Sequence, residues 1–156
     1  MNRLYVRDWM TREPITVDVK TALPEAHRLM KECRVRRLPV MEHGKLIGIV
    51  TLGDVREASP SDATTLSIFE LNYLLSKLTI GEIMTRDPIA VTPDSTIRQA
   101  ARLMLEHKIG GLPVLDPERG NLIGIITESD IFRVLVQEPE SDVEDELLKL
   151  ETAAGA

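Results

Sequence analysis

The sequence predicts an α/β protein with mixed sheets, built from a strand-helix-strand-strand-helix unit that occurs twice. Short apolar runs bounded by turn residues are typical of buried strands. Segments with apolar residues three and four positions apart are typical of amphipathic helices. Both kinds of segment return in the same order 74 to 76 residues later. A unit of about 55 residues is too small to bury a good core alone, so we expect two units packed about a pseudo-twofold axis.

The repeat is carried by three motifs. Met10-Thr-Arg-Glu-Pro-Ile-Thr-Val17 matches Met84-Thr-Arg-Asp-Pro-Ile-Ala-Val91. Leu38-Pro-Val40 matches Leu112-Pro-Val114 with the same offset of 74 residues. A glycine, a threonine and an aspartate, each three residues apart, then follow in both copies: Gly48, Thr51 and Asp54, and Gly124, Thr127 and Asp130.

Each unit opens on a short predicted strand, Ile15-Thr-Val17 or Ile89-Ala-Val91. An amphipathic helix follows, which in the second unit runs from about Thr96 to Glu106. The next strand contains the Leu-Pro-Val motif, and its proline predicts an edge or bulge position. The Gly-Ile-φ-Thr strand (φ apolar) and a second helix complete the unit.

A different kind of segment joins the two units. Ser67-Ile-Phe-Glu70 is a capping-box signal, and the leucines after it predict an amphipathic linker helix that packs on the protein. We divide the chain into repeat 1 with the start of the linker at 1–64, the linker helix at 65–79, repeat 2 at 80–136, and an acidic C-terminal helix and tail at 137–156. The two repeats form one module.

Composition narrows the class of protein. The net charge is −6 and only 3% of residues are aromatic, which argues against nucleic-acid binding through phosphate attraction or base stacking. A single cysteine, Cys33, and the lack of a long apolar run predict a cytoplasmic protein without a membrane span. Three scattered histidines predict no metal site, and no nucleotide-hydrolysing or nucleophile motif is present, so we expect no enzyme.

The ends of the Gly-Ile-φ-Thr strands are the candidate binding sites. A strand-to-helix junction offers free backbone N–H groups, and the Thr hydroxyl and Asp carboxylate add hydrogen-bonding groups. A ligand with hydroxyls and an anionic group would suit such a junction. The same Thr-x-x-Asp spacing is also a capping box, so a purely structural role stays open.

The three repeated motifs together resemble a tandem pair of cystathionine-β-synthase (CBS) domains, a Bateman module. The resemblance covers about residues 6 to 136. The layout of the chain is similar to that of stand-alone bacterial proteins of the acetoin-utilisation type. The resemblance implies βαββα units, homodimers, and adenosine ligands (AMP, ADP, ATP or S-adenosylmethionine) bound in clefts between repeats. It also implies a regulated partner protein.

The resemblance implies two clefts. Each takes Thr and Asp from one repeat, and takes the opening strand and the residues just before the Leu-Pro-Val motif from the other. Cleft A takes Pro14, Ile15, Thr16, Val35, Arg36, Arg37, Ile125, Thr127 and Asp130. Cleft B takes Ile49, Thr51, Asp54, Pro88, Ile89, Ala90, Ile109, Gly110 and Gly111. The aspartate would accept hydrogen bonds from ribose hydroxyls, and the threonine would bind ribose or phosphate.

The two predicted clefts differ where a phosphate would lie. Arg36 and Arg37 occupy that place in cleft A, whereas Gly110 and Gly111 occupy it in cleft B. A guanidinium holds phosphate in a bidentate fork, so we expect cleft A to take the phosphorylated nucleotide. The alternatives are that the arginines are solvated surface charges, that the module is purely structural with empty clefts, or that it is an enzyme acting on nucleotides.

Overall fold

The computed structural model describes residues 4–59, 65–137, 148, 149 and 152. The chain forms two compact units, and the division does not follow the order of the sequence. Unit 1 consists of Met1–Glu13 and Ile89–Ala156, and unit 2 consists of Pro14–Pro88. Each unit combines helices with a small mixed or antiparallel sheet, which confirms the predicted α/β class.

Unit 2 contains a four-stranded sheet in the order β2-β3-β4-β5. Its strands are β2 (Val17–Asp18), β3 (Arg37–Glu42), β4 (Lys45–Thr51) and β5 (Thr85–Arg86). β2 is parallel to β3, and the other neighbours are antiparallel. The helices are α2 (Leu23–Cys33), α3 (Leu52–Ala58), α4 (Ile68–Lys77) and α5 (Ile80–Ile83).

Unit 1 contains a three-stranded sheet in the order β1-β7-β6. Its strands are β1 (Thr11–Arg12), β6 (Gly111–Leu115) and β7 (Leu122–Thr127), and its helices are α1 (Val6–Trp9), α6 (Ile97–His107) and α7 (Glu128–Gln137). The N-terminal strand β1 is antiparallel to β7 of the second repeat. In the same way β5, which opens the second repeat, completes the sheet of the first.

The opening strands of the repeats differ from the prediction. β2 begins only at Val17, and of Ile89–Val91 only Val91 forms a bridge, parallel to Val114. The strands that sequence analysis missed are β1 and β5, the Thr-Arg pairs of the Met-Thr-Arg motif. All four of their residues are exposed, so no apolar periodicity marks them.

The proline strands are one edge and one interior strand. β6, which contains Pro113, lies at the edge of its sheet, as predicted. β3, which contains Pro39, is an interior strand. It tolerates the proline because β2 pairs only with Val40 and Met41, beyond the missing N–H group. A register irregularity follows one residue after each proline, between Val40 and Met41 and between Val114 and Leu115.

The predicted helix starts are present. Thr96 caps α6 by accepting from Gln99 N at 3.0 Å, and Ser67 caps α4 by accepting from Glu70 N at 3.2 Å. The buried face of α6 consists of Ile97, Ala100 and Met104, whereas Leu105 is 77% exposed.

Each unit has its own hydrophobic core between helices and sheet. Val6, Leu112, Val114 and Ile126 are fully buried in unit 1. The core of unit 2 includes Leu38, Val40, Val50, Val55 and Ile80, all fully buried.

The linker helix α4 packs on unit 2. Leu75 and, just after the helix, Leu78 lie against the unit 2 core, while Ile68 and Leu74 are exposed. The linker helix therefore packs, but through a narrower face than predicted. Most of the predicted C-terminal helix, 138–147 included, lies outside the described residues.

Candidate functional site

The junction of unit 2 lies where β4 ends at Thr51 and α3 begins. The Thr51 hydroxyl accepts a hydrogen bond from Asp54 N at 3.1 Å, and Thr51 N donates to Asp54 Oδ2 at 2.8 Å. This reciprocal capping box satisfies two backbone donors and holds both side chains in place. The hydroxyl hydrogen of Thr51 and the second carboxylate oxygen of Asp54 have no bond to any other described residue.

Unit 1 repeats this junction where β7 ends at Thr127 and α7 begins. Thr127 N donates to Asp130 Oδ2 at 2.8 Å, and the Thr127 hydroxyl lies 3.3 Å from the same oxygen. Asp130 is only 2% exposed, whereas Asp54 is half-buried. The aspartate thus accepts from the threonine N–H in both units, whereas among the described residues the threonine hydroxyl accepts from the aspartate N–H only in unit 2. Ligand binding would have to be added to this capping role.

A short segment before the proline strand touches each junction. In unit 2 the backbone oxygen of Arg36 accepts from Leu52 N at 2.7 Å, and Arg37 lies opposite Thr51 in the β3–β4 register. In unit 1 the oxygen of Gly110 accepts from Glu128 N at 3.0 Å, and Gly111 lies opposite Thr127. The segment that carries two arginines thus adjoins the Thr51 junction.

The predicted clefts are brought together only in part. Within unit 2 the structure groups Val35, Arg36 and Arg37 with Ile49, Thr51 and Asp54. Within unit 1 it groups Ile109, Gly110 and Gly111 with Ile125, Thr127 and Asp130. Cleft A as predicted combines residues of both units, and so does cleft B. Both combinations stay predictions.

The opening segments contribute exposed or half-buried groups. In unit 2, Pro14 and Pro88 are half-buried, Ile15 is 40% exposed and Thr16 is exposed. In unit 1, Ile89 and Ala90 are half-buried, and Ile89 packs against the core. A hydrophobic side chain left accessible at such a segment suits contact with a flat apolar ring.

The glycine of each Gly-Ile-φ-Thr strand lets another strand approach closely. A Cβ on Gly48 would lie 2.6 Å from Met84 Sδ and 2.8 Å from the backbone oxygen of Thr85. A Cβ on Gly124 would lie 2.8 Å from Met10 Sδ and 2.9 Å from Thr11 O. The closely packed strands are β5, next to Gly48, and β1, next to Gly124.

Arg133 is a residue of the junction that sequence analysis missed. It lies one helical turn after Asp130 on α7, and its guanidinium forms an ion pair with Asp130 Oδ1. The i, i+3 spacing of an acid and a base on a helix is a signal that finds such pairs. The corresponding residue in unit 2, three positions after Asp54, is Glu57.

The surroundings of His27 lower its pKa. It lies half-buried on α2, and burial lowers its pKa below the ordinary 6.5, with repulsion from Lys31 and Arg56 acting in the same direction. Across the described part of the chain, no three His, Cys, Asp or Glu side chains converge in a way that would hold a metal ion.

A duplicated α/β unit with a capped Thr-x-x-Asp junction in each copy defines a tandem-repeat module. The model of the CBS domain family matches this chain twice, at residues 6–61 and 80–137. The chain therefore belongs to the CBS domain family and carries a pair of CBS domains.

Solved CBS proteins share this fold. The CBS domain pair of protein MJ0100, in complex with 5′-methylthioadenosine and S-adenosyl-L-methionine, is 32% identical with a TM-score of 0.70, and the match covers 86% of this chain and 97% of that one. CBSX2 in complex with AMP is 34% identical with a TM-score of 0.69, covering 86% and 97%. The acetoin utilization protein AcuB of Vibrio cholerae is 30% identical with a TM-score of 0.70, covering 97% and 98%.

Curated relatives differ greatly in length. This chain matches an inosine-5′-monophosphate dehydrogenase of Korarchaeum cryptofilum at 38% identity over 80% of its own length but only 23% of the enzyme. It matches 93% of a CBS domain-containing protein of Dictyostelium discoideum at 32% identity. In the part of the chain that the structure describes, every helix is too short or too polar to span a bilayer.

Proposed function

We propose that this protein is a regulatory module that binds an adenosine compound and changes the behaviour of a partner protein. The observation that carries the proposal is the pair of Thr-x-x-Asp junctions, each held rigidly by its own capping hydrogen bonds. Relatives of the same fold bind AMP, S-adenosyl-L-methionine and 5′-methylthioadenosine. The ligand of this chain is therefore AMP, ADP, ATP or S-adenosylmethionine.

The junction supplies groups for a ribose. The Asp54 carboxylate accepts hydrogen bonds from vicinal hydroxyls, and the Thr51 hydroxyl donates one to ribose or phosphate. The hydrogen bond to the Asp54 carboxylate would be the stronger of the two, because hydrogen bonds to a charged acceptor are shorter and stronger than neutral ones.

Arg36 and Arg37 supply the charge for a phosphate. Sequence analysis assigned them to the cleft of Asp130, whereas their backbone contacts favour the junction of Thr51 and Asp54. We therefore assign the phosphorylated nucleotide to the arginine-bearing junction of unit 2. The Arg36 side chain is exposed, so it can reach a ligand without unfolding its surroundings.

Calorimetric titration with AMP and with adenosine tests this assignment. Losing one hydrogen bond to a charged group costs about 1.5–3 kcal/mol, or roughly ten- to hundredfold in Kd. Arg36→Ala is expected to weaken AMP by this factor and to leave adenosine unchanged. Arg28→Ala, whose side chain is 70% exposed on α2, is the matched control and should bind both like the wild type.

Three outcomes would contradict the proposal at different levels. Flat titrations with AMP, ATP and S-adenosylmethionine would indicate a purely structural module. Loss of AMP binding in Asp130→Ala but not in Asp54→Ala would return the arginines to the cleft first predicted from the sequence. Conversion of ATP or AMP in the presence of a divalent metal would indicate an enzyme.

The proposal includes a homodimer and a cytoplasmic location. Phe132 and Val136 on one side of α7 are 59% and 82% exposed, and apolar surface of this kind is typical of interfaces. Cys33 is a free thiol, as is usual in a reducing compartment. Sedimentation equilibrium of the wild type and of Val136→Glu checks the dimer, which should weaken in the variant.

A further inference from the structure

The two junctions differ in what already binds their aspartate. In unit 1 the Asp130 carboxylate has partners on both oxygens, with Thr127 on Oδ2 and the Arg133 guanidinium on Oδ1. The ion pair joins the Asp130 side chain, which is 2% exposed, to the Arg133 side chain, which is 54% exposed. A ribose hydroxyl that approached Oδ1 would compete with the Arg133 guanidinium for that oxygen.

The aspartate of unit 2 has no such partner among the described residues. Oδ2 of Asp54 is engaged by Thr51 N at 2.8 Å, and Oδ1 has no bond to another described residue. The position that Arg133 occupies in unit 1 holds Glu57 here, which is exposed and repels rather than neutralises the carboxylate. Asp54 is therefore available to accept from a ligand.

We propose that Arg133 is a specificity-determining residue that makes the two junctions unequal, so that adenosine compounds bind first at Thr51 and Asp54. The inference rests on the proposed function and adds the reason for a preference between the two sites. Arg133 acts through Asp130 as a positioning residue: it occupies the acceptor that a ribose would need. A ligand bound at unit 1 has to compete with that ion pair, and a ligand at unit 2 does not.

The experiment is calorimetric titration of the full chain with adenosine, which has ribose hydroxyls but no phosphate. The wild type is expected to bind one adenosine per chain. Glu57→Arg introduces the unit 1 pair into unit 2 at an exposed position, and it should weaken this binding at least tenfold. Glu57→Gln removes the same carboxylate without adding a guanidinium and should bind like the wild type.

The reciprocal change is Arg133→Gln, which keeps a hydrogen-bond donor beside Asp130 but removes the charge. This variant is expected to raise the stoichiometry toward two adenosines per chain. The added site should not bind 2′,3′-dideoxyadenosine, which lacks the ribose hydroxyls. If Arg133 were only structural, its replacement would not create a site with this selectivity. Arg133→Lys should keep the wild-type pattern.

The outcomes separate this inference from the proposed function. Equal binding at two sites in the wild type, or unchanged binding in both Glu57→Arg and Arg133→Gln, would overturn the role of Arg133 while adenosine binding stands. Loss of adenosine binding in Glu57→Gln would mean that the Glu57 carboxylate itself supports binding, and it would also overturn the proposed role of Arg133. If neither the wild type nor any variant bound adenosine or AMP, the proposed function would fall and this inference with it.

Discussion

At the scale of single residues, the local environment decides what an ionisable group can do. Asp54 and Asp130 occupy the same place in the two repeats, yet one is half-buried and the other is buried against Arg133. His27 is the counterpart of Ala101, and burial lowers the pKa of an imidazole that the matching alanine does not have. The differences between the copies are therefore as informative as their likeness.

His27 should make stability depend on pH. Because its pKa is lowered in the folded chain, the unfolded chain binds more protons between that lowered pKa and 6.5. The free energy of unfolding should thus be highest above pH 6.5, fall as the pH drops through this value, and level off below the folded pKa. Urea unfolding between about pH 4.5 and 8 measures this pH dependence of the free energy of unfolding. These limits bracket the ordinary histidine pKa of about 6.5.

His27→Ala tests the cause of this dependence. The variant places the residue of the other unit at this position, and it should flatten the profile below about pH 6.5. Arg28→Ala, the next residue on the exposed side of α2, is expected to keep the wild-type slope. Parallel profiles for His27→Ala and the wild type would assign the dependence to other groups.

The residue-scale predictions from sequence succeeded where chemistry and spacing coincide. The Thr-x-x-Asp spacing correctly predicted that the aspartate accepts from the threonine N–H at both junctions, and the full reciprocal box forms in unit 2. The spacing alone did not reveal that Asp130 is neutralised by Arg133, because the Asp-x-x-Arg pair on α7 resembles any exposed helix pair until the burial of Asp130 is known.

At the scale of secondary-structure elements, close strand packing sets the strongest constraint. Gly48→Ala should destabilise unit 2, because its Cβ would meet the backbone oxygen of Thr85 at 2.8 Å and a backbone atom cannot move aside cheaply. Overpacking of this kind costs about 1–3 kcal/mol. Urea unfolding of the variant measures the loss.

Gly53→Ala is the matched control for this substitution. It lies in α3, five residues further on, and its Cβ would meet only the Thr51 hydroxyl, at an ordinary 3.5 Å. Alanine in place of glycine in the middle of a helix gains roughly 0.5–1 kcal/mol. Gly53 is only the second residue of α3, so this variant should gain less than that and be about as stable as the wild type. If both substitutions changed the free energy of unfolding equally, the close approach of β5 would not be what requires glycine at position 48.

Helices were easier to predict than short strands. α4 and α6 carry capping residues and apolar spacing, and both begin where those signals place them. β1 and β5 are two residues long and exposed, so their pairing with a distant strand has no local signature. Only long-range backbone hydrogen bonds define them, and single-sequence patterns do not contain that information.

At the scale of the whole molecule, ligand binding should raise thermal stability. A ligand at about one hundred times its Kd stabilises the folded chain by about 2.7 kcal/mol. For a chain of 156 residues this corresponds to a rise in Tm of roughly 5–10 °C. Differential scanning fluorimetry with AMP measures it, and Asp54→Ala should abolish the rise at the same concentration.

Asp116→Ala provides the reference for that measurement. Asp116 accepts from the backbone N–H groups of Glu118 and Arg119 in the β6–β7 turn, away from both junctions. The Tm of the Asp116→Ala variant without ligand is expected to be slightly lower than that of the wild type, while AMP should still raise its Tm. A rise that disappeared in Asp116→Ala as well would show that the shift reports general destabilisation.

The discontinuous composition of unit 1 has a consequence for the nascent chain. Unit 2 is one continuous stretch and can fold as soon as it leaves the ribosome, whereas β1 must wait for β7, whose first residue, Leu122, follows Arg12 by 122 − 12 = 110 positions. At about 5–20 residues per second, that delay lasts on the order of ten seconds. Throughout translation of the middle of the chain, the N-terminal strand remains without its partner.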